Sequence, residues 1–207
     1  MISKKIKIII VDYGGVIINL GTRKTMMPRI IAHELNIPES TAIDLWYKNR
    51  QKLITGREKI EDFLKKINAI SDNEISKLAL KIRNQYRPKR KQINWDLLNY
   101  LDELKSKYRI YGFSNTVPFK PNKIQNEIDR HFISVFKSYL EGYVKPEKSA
   151  FKNILKKITA RPEECLLIDD VDENIIMARK LGLQAIKFSN LPDLKRVIRN
   201  LSILNTH

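Results

Sequence analysis

The 207-residue sequence predicts an α/β protein, a doubly wound parallel sheet with an inserted block of helices. Three observations carry this. Ile8-Ile9-Ile10-Val11 and Cys165-Leu166-Leu167-Ile168 are short apolar runs with no polar alternation, which suits strands buried on both faces of a helix-covered sheet. From residue 94 onward helical and strand patterns alternate, the rhythm of a parallel sheet. Between residues 21 and 88 the pattern is helical throughout, so the first strand must join the sheet across an insertion.

In chain order, the first strand ends abruptly on Asp12, and Gly14 and Gly15 then let the backbone turn sharply and approach a ligand closely. Arg23 to Leu35 carries Met27, Ile30, Ile31 and Leu35 at helical spacing. A second helix starts near Pro38 and carries Ile43, Leu45, Trp46 and Leu53. Thr55 with Glu58, and Ser71 with Glu74, each fit a capping box ahead of a helical pattern. Pro88 breaks the run, and Asn94 to Lys107 reads as a helix. Tyr108 to Phe113 reads as a strand ending on Ser114-Asn115-Thr116, and Pro118 and Pro121 mark a loop and a helix start. Phe132 to Phe136 reads as a short strand or turn, Glu141 to Pro146 as a loop, and Glu147 to Ile158 as a helix. The Cys165 strand ends on Asp169-Asp170. A helix from Ile175 to Leu181 stops at Gly182, Gln184 to Phe188 is a strand, and Leu191 to Leu201 is the last helix.

Composition narrows the function. Hydrophobic residues make up 43%, as in a globular protein. The single cysteine, Cys165, allows no intramolecular disulfide and fits a reducing, cytoplasmic setting. No apolar run approaches the roughly 20 residues of a membrane span, so no membrane partner is expected. Lysines followed by an apolar stretch at the amino terminus have the outline of a signal peptide, but the stretch is too short and Asp12 ends it. Lys and Arg number 39 against 23 Asp and Glu, a net charge of +16. Residues 21–91 hold 17 of the cations and 8 of the anions, so +9 of that excess lies in the helical block. Such a surface attracts phosphorylated metabolites, nucleic acid or acidic lipid, or is simply solvated. Nucleic acid is an open partner with no aromatic-and-basic motif behind it.

Four polar clusters fall at or beyond predicted strand ends: Asp12, Ser114-Asn115, Lys145 and Asp169-Asp170. Strand carboxyl ends converge on one edge of an open α/β sheet, where ligands bind. Carboxylates there suit Mg²⁺, which favours oxygen ligands and substrate phosphates. A lysine and a hydroxyl hold phosphate oxygens, and a carboxylate can serve as a nucleophile.

In these stretches the sequence resembles the haloacid dehalogenase-like (HAD) hydrolases, mostly phosphatases. Their first motif, a strand ending on a nucleophilic aspartate, matches Ile9-Ile10-Val11-Asp12-Tyr13-Gly14-Gly15-Val16. Their second, a strand ending on Ser or Thr, matches Ile110 to Thr116. A lysine followed by proline matches Lys145-Pro146, and an acidic pair with a later asparagine matches Asp169-Asp170 and Asn174. The resemblance implies a Rossmann-like catalytic core over residues 1–20 and 89–207, with a helical cap over 21–88 that selects substrate. It implies Asp12 as nucleophile and Mg²⁺ ligand, with the Gly14 carbonyl as a further ligand. Ser114 binds a phosphate oxygen, and Asn115 shapes the loop. Lys145 neutralises the phosphate and Asp12. Asp169 coordinates the metal, directly or through water, and Asp170 supports the metal or Lys145. A small phosphomonoester is the implied substrate.

One departure matters. Most family phosphatases place an acid/base aspartate two residues after the nucleophile, and here that position is Gly14. General acid–base catalysis is worth about 10²–10⁴-fold, so slow turnover of poor leaving groups is expected unless another group substitutes. His33, Glu34 and Asn19 are the candidates, and Arg23, Lys24, Lys48 and Arg50 are candidate anion-binding groups of the helical block. Two other readings exist. One is a dehalogenase, for which Asp169-Asp170 would have no purpose. The other is a catalytically weak binding or regulatory protein with an anionic partner, which the loss at Gly14 and the charge would allow.

Overall fold

Strand β1 (Ile8–Val11) is the centre of a five-stranded, all-parallel sheet ordered β3-β2-β1-β4-β5. The others are β2 (Arg109–Ser114), β3 (Ser134–Lys137), β4 (Cys165–Asp169) and β5 (Gln184–Lys187). The computed structural model describes residues 6–19, 26–67, 71–118 and 122–204. β1 pairs with β2 on one side and β4 on the other, with Val11 opposite both Gly112 and Ile168. Its side chains alternate between two cores. Ile9 and Val11 join the cluster formed with Leu97, Leu101 and Ile198, whereas Ile8 and Ile10 join that of Phe151, Ile154 and Ile175. A strand packed on both faces has no place for a polar side chain, which is why the apolar run lacks alternation.

Helices α5 (Trp95–Leu104) and α10 (Leu191–Leu204) cover the first face, and α8 (Lys148–Lys157) and α9 (Asp172–Lys180) the second. Short helices α6 (Lys123–Asp129) and α7 (Ser138–Glu141) flank β3. The chain builds β1 to β3 outward in one direction, then places β4 and β5 beyond β1 on the other side. That reversal between β1 and β4 opens a crevice at the strand carboxyl ends.

Between β1 and α5 the described residues form α1 (Met26–Leu35), α2 (Glu39–Ile54), α3 (Ile60–Ile67) and α4 (Asp72–Tyr86). They form a layer with its own core of Ile31, Leu53, Phe63, Leu64 and Ile82. Val117 and Val144, from loops at the sheet's carboxyl edge, complete that core. α4 starts in the expected capping box: the Glu74 amide donates to Ser71 Oγ at 3.4 Å and the Ser71 amide to Glu74 Oε2 at 3.0 Å. The other expected box does not form. Thr55 is the C-cap of α2, and its hydroxyl donates back to the Gln51 carbonyl at 2.7 Å. Gly56 then turns with φ +71, and a Cβ there would lie 2.2 Å from the Tyr139 carbonyl oxygen. Glu58 is buried and pairs with Lys66, so the segment closes α2 instead of opening α3. β3 runs slightly later than expected, and Phe132 belongs to the turn before it. Among the described residues, no helix is long and apolar enough to cross a membrane.

Candidate active site

The strand pairing carries the first and last polar clusters side by side. Beyond Val11 and Ile168, which sit in register, come Asp12 and Asp169, and the Asp12 amide donates to the Ile168 carbonyl at 2.9 Å. Lys145 reaches this pair from the loop between α7 and α8. Its Nζ lies 2.9 Å from Asp12 Oδ1 and 2.6 Å from Asp169 Oδ2, with the side chain 1% exposed. Asn115, just past β2, fixes the lysine's backbone in both directions. Its Nδ2 donates to the Lys145 carbonyl at 2.8 Å, and the Lys145 amide donates to its Oδ1 at 3.0 Å. Asp169 is held as firmly: its Oδ1 accepts from the Val171 amide at 3.0 Å and from Asn174 Nδ2 at 2.9 Å. Ser114 is buried at the end of β2, beside Asn115 and outside the cavity lining described below.

Burial pushes the Asp12 carboxyl up to about 7, against the pull of the Lys145 ammonium and with some help from Asp169. Burial works the other way on Lys145, but the two carboxylates outweigh it and hold its pKa above the ordinary value. The lysine therefore stays charged, and the site keeps a fixed cation against Asp12. By contrast, burial pushes the Cys165 thiol up to about 12, which leaves it unreactive in the core.

Asp12, Asp169 and Asp170 bring carboxylate oxygens within 4.8 Å of one another. An all-oxygen donor set of this kind fits a hard divalent cation such as Mg²⁺. Gly14 lines the same space. Gly15 explains why Asp170 can be there: it has φ +86, and a Cβ would lie 2.1 Å from Asp170 Oδ2. The second glycine of the first motif thus makes room for the second aspartate of the last.

The residues that sequence reasoning missed lie behind Asp12. The Tyr13 hydroxyl, in a ring 2% exposed, donates to Asp129 Oδ1 at 2.9 Å. Lys137 Nζ sits 2.7 Å from the other Asp129 oxygen, and Gln125 Nε2 donates to Oδ1 at 2.7 Å. Burial and the Asp129 carboxylate push the Tyr13 pKa up, so the hydroxyl remains a donor. Gly112 accommodates the ring: a Cβ at 112 would lie 2.7 Å from Tyr13 Cε1. This network ties the turn after β1 to α6 and β3. The apolar-to-aspartate pattern marks Tyr13 only as a neighbour of Asp12, and its partner is more than a hundred residues away.

A cavity of about 340 Å³ opens above the cluster. Its floor is Asp12, Gly14, Lys145 and Asp170, with Asn115, Val171 and Asn174 beside them. Its roof is Met27 of α1, Trp46, Tyr47 and Arg50 of α2, and Tyr86 of α4. Of the four cations expected at the roof, Arg50 lines it and Lys48 does not, while Arg23 and Lys24 lie outside the described residues. None of the three candidate replacement acids lines it. Glu34 accepts from Gln85 at 2.6 Å and pairs with Lys81, tying α1 to α4. His33 is largely exposed beside it, and Asn19 lines a separate cavity with Lys91 and Ser189.

Known proteins can be set against this geometry. A model of the haloacid dehalogenase-like hydrolases matches residues 6–182. The chain is 25% identical over 199 residues to D-ribitol-5-phosphate phosphatase of Bacteroides thetaiotaomicron, covering 91% of this chain and 94% of that protein. A HAD family enzyme of the same organism, solved with magnesium and inorganic phosphate, superposes with a TM-score of 0.64 at 25% identity, over 89% of this chain and 94% of that one. A predicted HAD-like family hydrolase from Porphyromonas gingivalis shares the fold with a TM-score of 0.72, at 24% identity over 94% and 98% of the two chains. With the carboxylate–lysine cluster at the sheet's switch point and a family match spanning most of its length, this chain belongs to the haloacid dehalogenase-like hydrolases.

Proposed function

We propose that the protein is a Mg²⁺-dependent phosphatase that hydrolyses a small phosphomonoester through an aspartyl-phosphate on Asp12. The observation that carries this is Lys145, held between Asp12 and Asp169 with Asp170 alongside. The magnesium- and phosphate-bound relative and the ribitol phosphate phosphatase support the same reading.

In the first half-reaction a carboxylate oxygen of Asp12 attacks phosphorus, and the bond from phosphorus to the substrate oxygen breaks. The departing oxygen takes a proton from water, since Gly14 offers none. In the second, water attacks phosphorus, the bond to Asp12 breaks, and inorganic phosphate leaves with the carboxylate restored. Lys145 favours the ionised form of the attacking carboxylate against the effect of burial and offsets charge on the transferring group, which is mainly an electrostatic task. Asn115 holds the lysine through its backbone, and Asp169 through its carboxylate. Asp12, Asp170 and the Gly14 carbonyl would hold Mg²⁺, which neutralises phosphate charge and orients the group for in-line attack. Asp169, with both oxygens already accepting hydrogen bonds, would support the metal site and mainly positions Lys145. The helices of residues 21–88 act as the cap that closes over the substrate. A single buried thiol accords with a cytoplasmic setting.

The test is hydrolysis of p-nitrophenyl phosphate, with Mg²⁺ and with EDTA, by wild type and Asp12→Asn. Its good leaving group needs little help from the missing acid. Turnover that disappears with EDTA and falls by at least about 10⁴-fold in the variant is the expected result. Silence in every arm would instead favour a binding protein on this scaffold, the reading that Gly14 allows.

A further inference from the structure

The cavity's lining grades from buried to exposed side chains. On the floor, Asp12 and Lys145 are buried, 7% and 4% exposed, and fixed to each other. On the roof, Met27 and Trp46 present buried apolar surface. Beside them stand Tyr47, which is 57% exposed, and Arg50, also exposed. Trp46 and Arg50 are one helical turn apart on α2, so one helix face carries both the apolar wall and a cation. Among the described residues, Arg50 is the one cation that the four helices bring to this cavity, and no described carboxylate pairs with it. Of the other described cations on these helices, Arg29, Lys65, Lys66 and Lys81 meet carboxylates, while Lys48, Lys52 and Arg83 meet none but do not line the cavity, so it is position in the lining that sets Arg50 apart.

We infer that Arg50 recognises a second anionic group on the substrate, at the end opposite the scissile phosphate. This deepens the phosphatase reading and rests on it. The scissile phosphate belongs to the floor, where Lys145 is fixed against the nucleophile. A short carbon chain then crosses Met27 and Trp46. The far end meets a guanidinium, which pairs with carboxylate or phosphate through two parallel hydrogen bonds and has no comparable partner in a neutral hydroxyl. The substrate class is therefore a compact phosphomonoester with a carboxylate or a second phosphate at its other end, in preference to a neutral polyol phosphate.

Three substrates of equal carbon number test this: a pentitol 5-phosphate, the matching aldonate 5-phosphate, and a pentose 1,5-bisphosphate. The readout is the ratio of kcat/KM values within one preparation, which does not depend on the active fraction. Wild type should prefer one or both anionic substrates by about ten- to a hundredfold, and the preferred one tells carboxylate from phosphate. In Arg50→Met the ratio should collapse to within about threefold of one, with Arg50→Lys in between. A wild-type ratio near one, or a preference for the pentitol phosphate, overturns the inference. So does an Arg50→Met variant that loses activity equally on all three substrates, since that would place the guanidinium on the scissile phosphate. p-Nitrophenyl phosphate separates the two levels. If wild type hydrolyses it and shows no anionic preference, only the role of Arg50 fails. If wild type leaves it and all three substrates untouched, the phosphatase reading fails and the Arg50 inference falls with it.

Discussion

The floor and the roof of the cavity are built on opposite plans. The floor's charged groups gather at the strand ends and are bonded on several sides: Lys145, from the loop before α8, through Asp12, Asp169 and Asn115, and Asp169 beneath it through Lys145, Val171 and Asn174. Roof side chains hang from helices, and two of them, Tyr47 and Arg50, are exposed. A reaction that depends on fixed charges needs the first plan, because donors that must reorganise lose most of their electrostatic effect. Selection among substrates works with the second, since a roof residue can change without disturbing the charge balance below. The difference separates what the site does from what it does it to.

If the floor is one electrostatic unit, removing its cation should cost both turnover and stability. Lys145→Met leaves two carboxylates facing each other in a buried space. Turnover of p-nitrophenyl phosphate should fall by about 10²–10³-fold. Chemical denaturation should show a loss of about 3–5 kcal/mol, the usual result of stripping one partner from a buried pair. A variant with full stability would mean that the floor is looser than its contacts indicate.

Gly15→Ala probes the same unit through its backbone. At φ +86, and with Asp170 Oδ2 2.1 Å from the new Cβ, either the turn or the aspartate must move. A cost of about 1–3 kcal/mol is expected, together with weaker Mg²⁺ binding by titration calorimetry. A third test uses protons. The Asp12 carboxyl, ordinarily at 3.8, stands at about 7 in the folded protein. Between those values the native state holds a proton that the unfolded chain has released, so stability from this group is complete below pH 3.8 and declines until about pH 7. In EDTA, thermal unfolding of wild type should show that decline, and Asp12→Asn should flatten it. The roof should answer least. Tyr47→Ala removes an exposed ring and should change stability by no more than about 0.5 kcal/mol, while altering KM for the true substrate. A large stability loss there would erase the distinction between the two halves.

The sequence made the floor legible for a physical reason. A strand buried on both faces must be apolar until it leaves the sheet, so Asp12 and Asp169 mark their own positions as the first polar residues after apolar runs. Parallel pairing then brings them together without further information. Ser71 and Glu74 were readable for a similar reason, because both partners lie within four residues. Thr55 and Glu58 carry the same spacing, yet Gly56 packing on Tyr139 decided the matter from far along the chain. The anchoring of Tyr13 on Asp129, and the choice of Arg50 over Lys48 at the roof, likewise depend on where helices settle in three dimensions. Helical periodicity locates a face but does not say which cavity that face overlooks.

The fit of the Tyr13 ring over Gly112 carries a consequence for how this chain can change over time. Gly112 lies on β2 and Tyr13 in the turn after β1, but they share one volume, and neither can grow while the other keeps its size. A side chain at 112 becomes admissible only after the tyrosine is replaced by something smaller, and that replacement gives up the bond to Asp129. The order of steps is therefore constrained, and the intermediate is the weakest member of the route. In a family of related chains the two positions should drift together, glycine with the large ring and a larger residue with its loss.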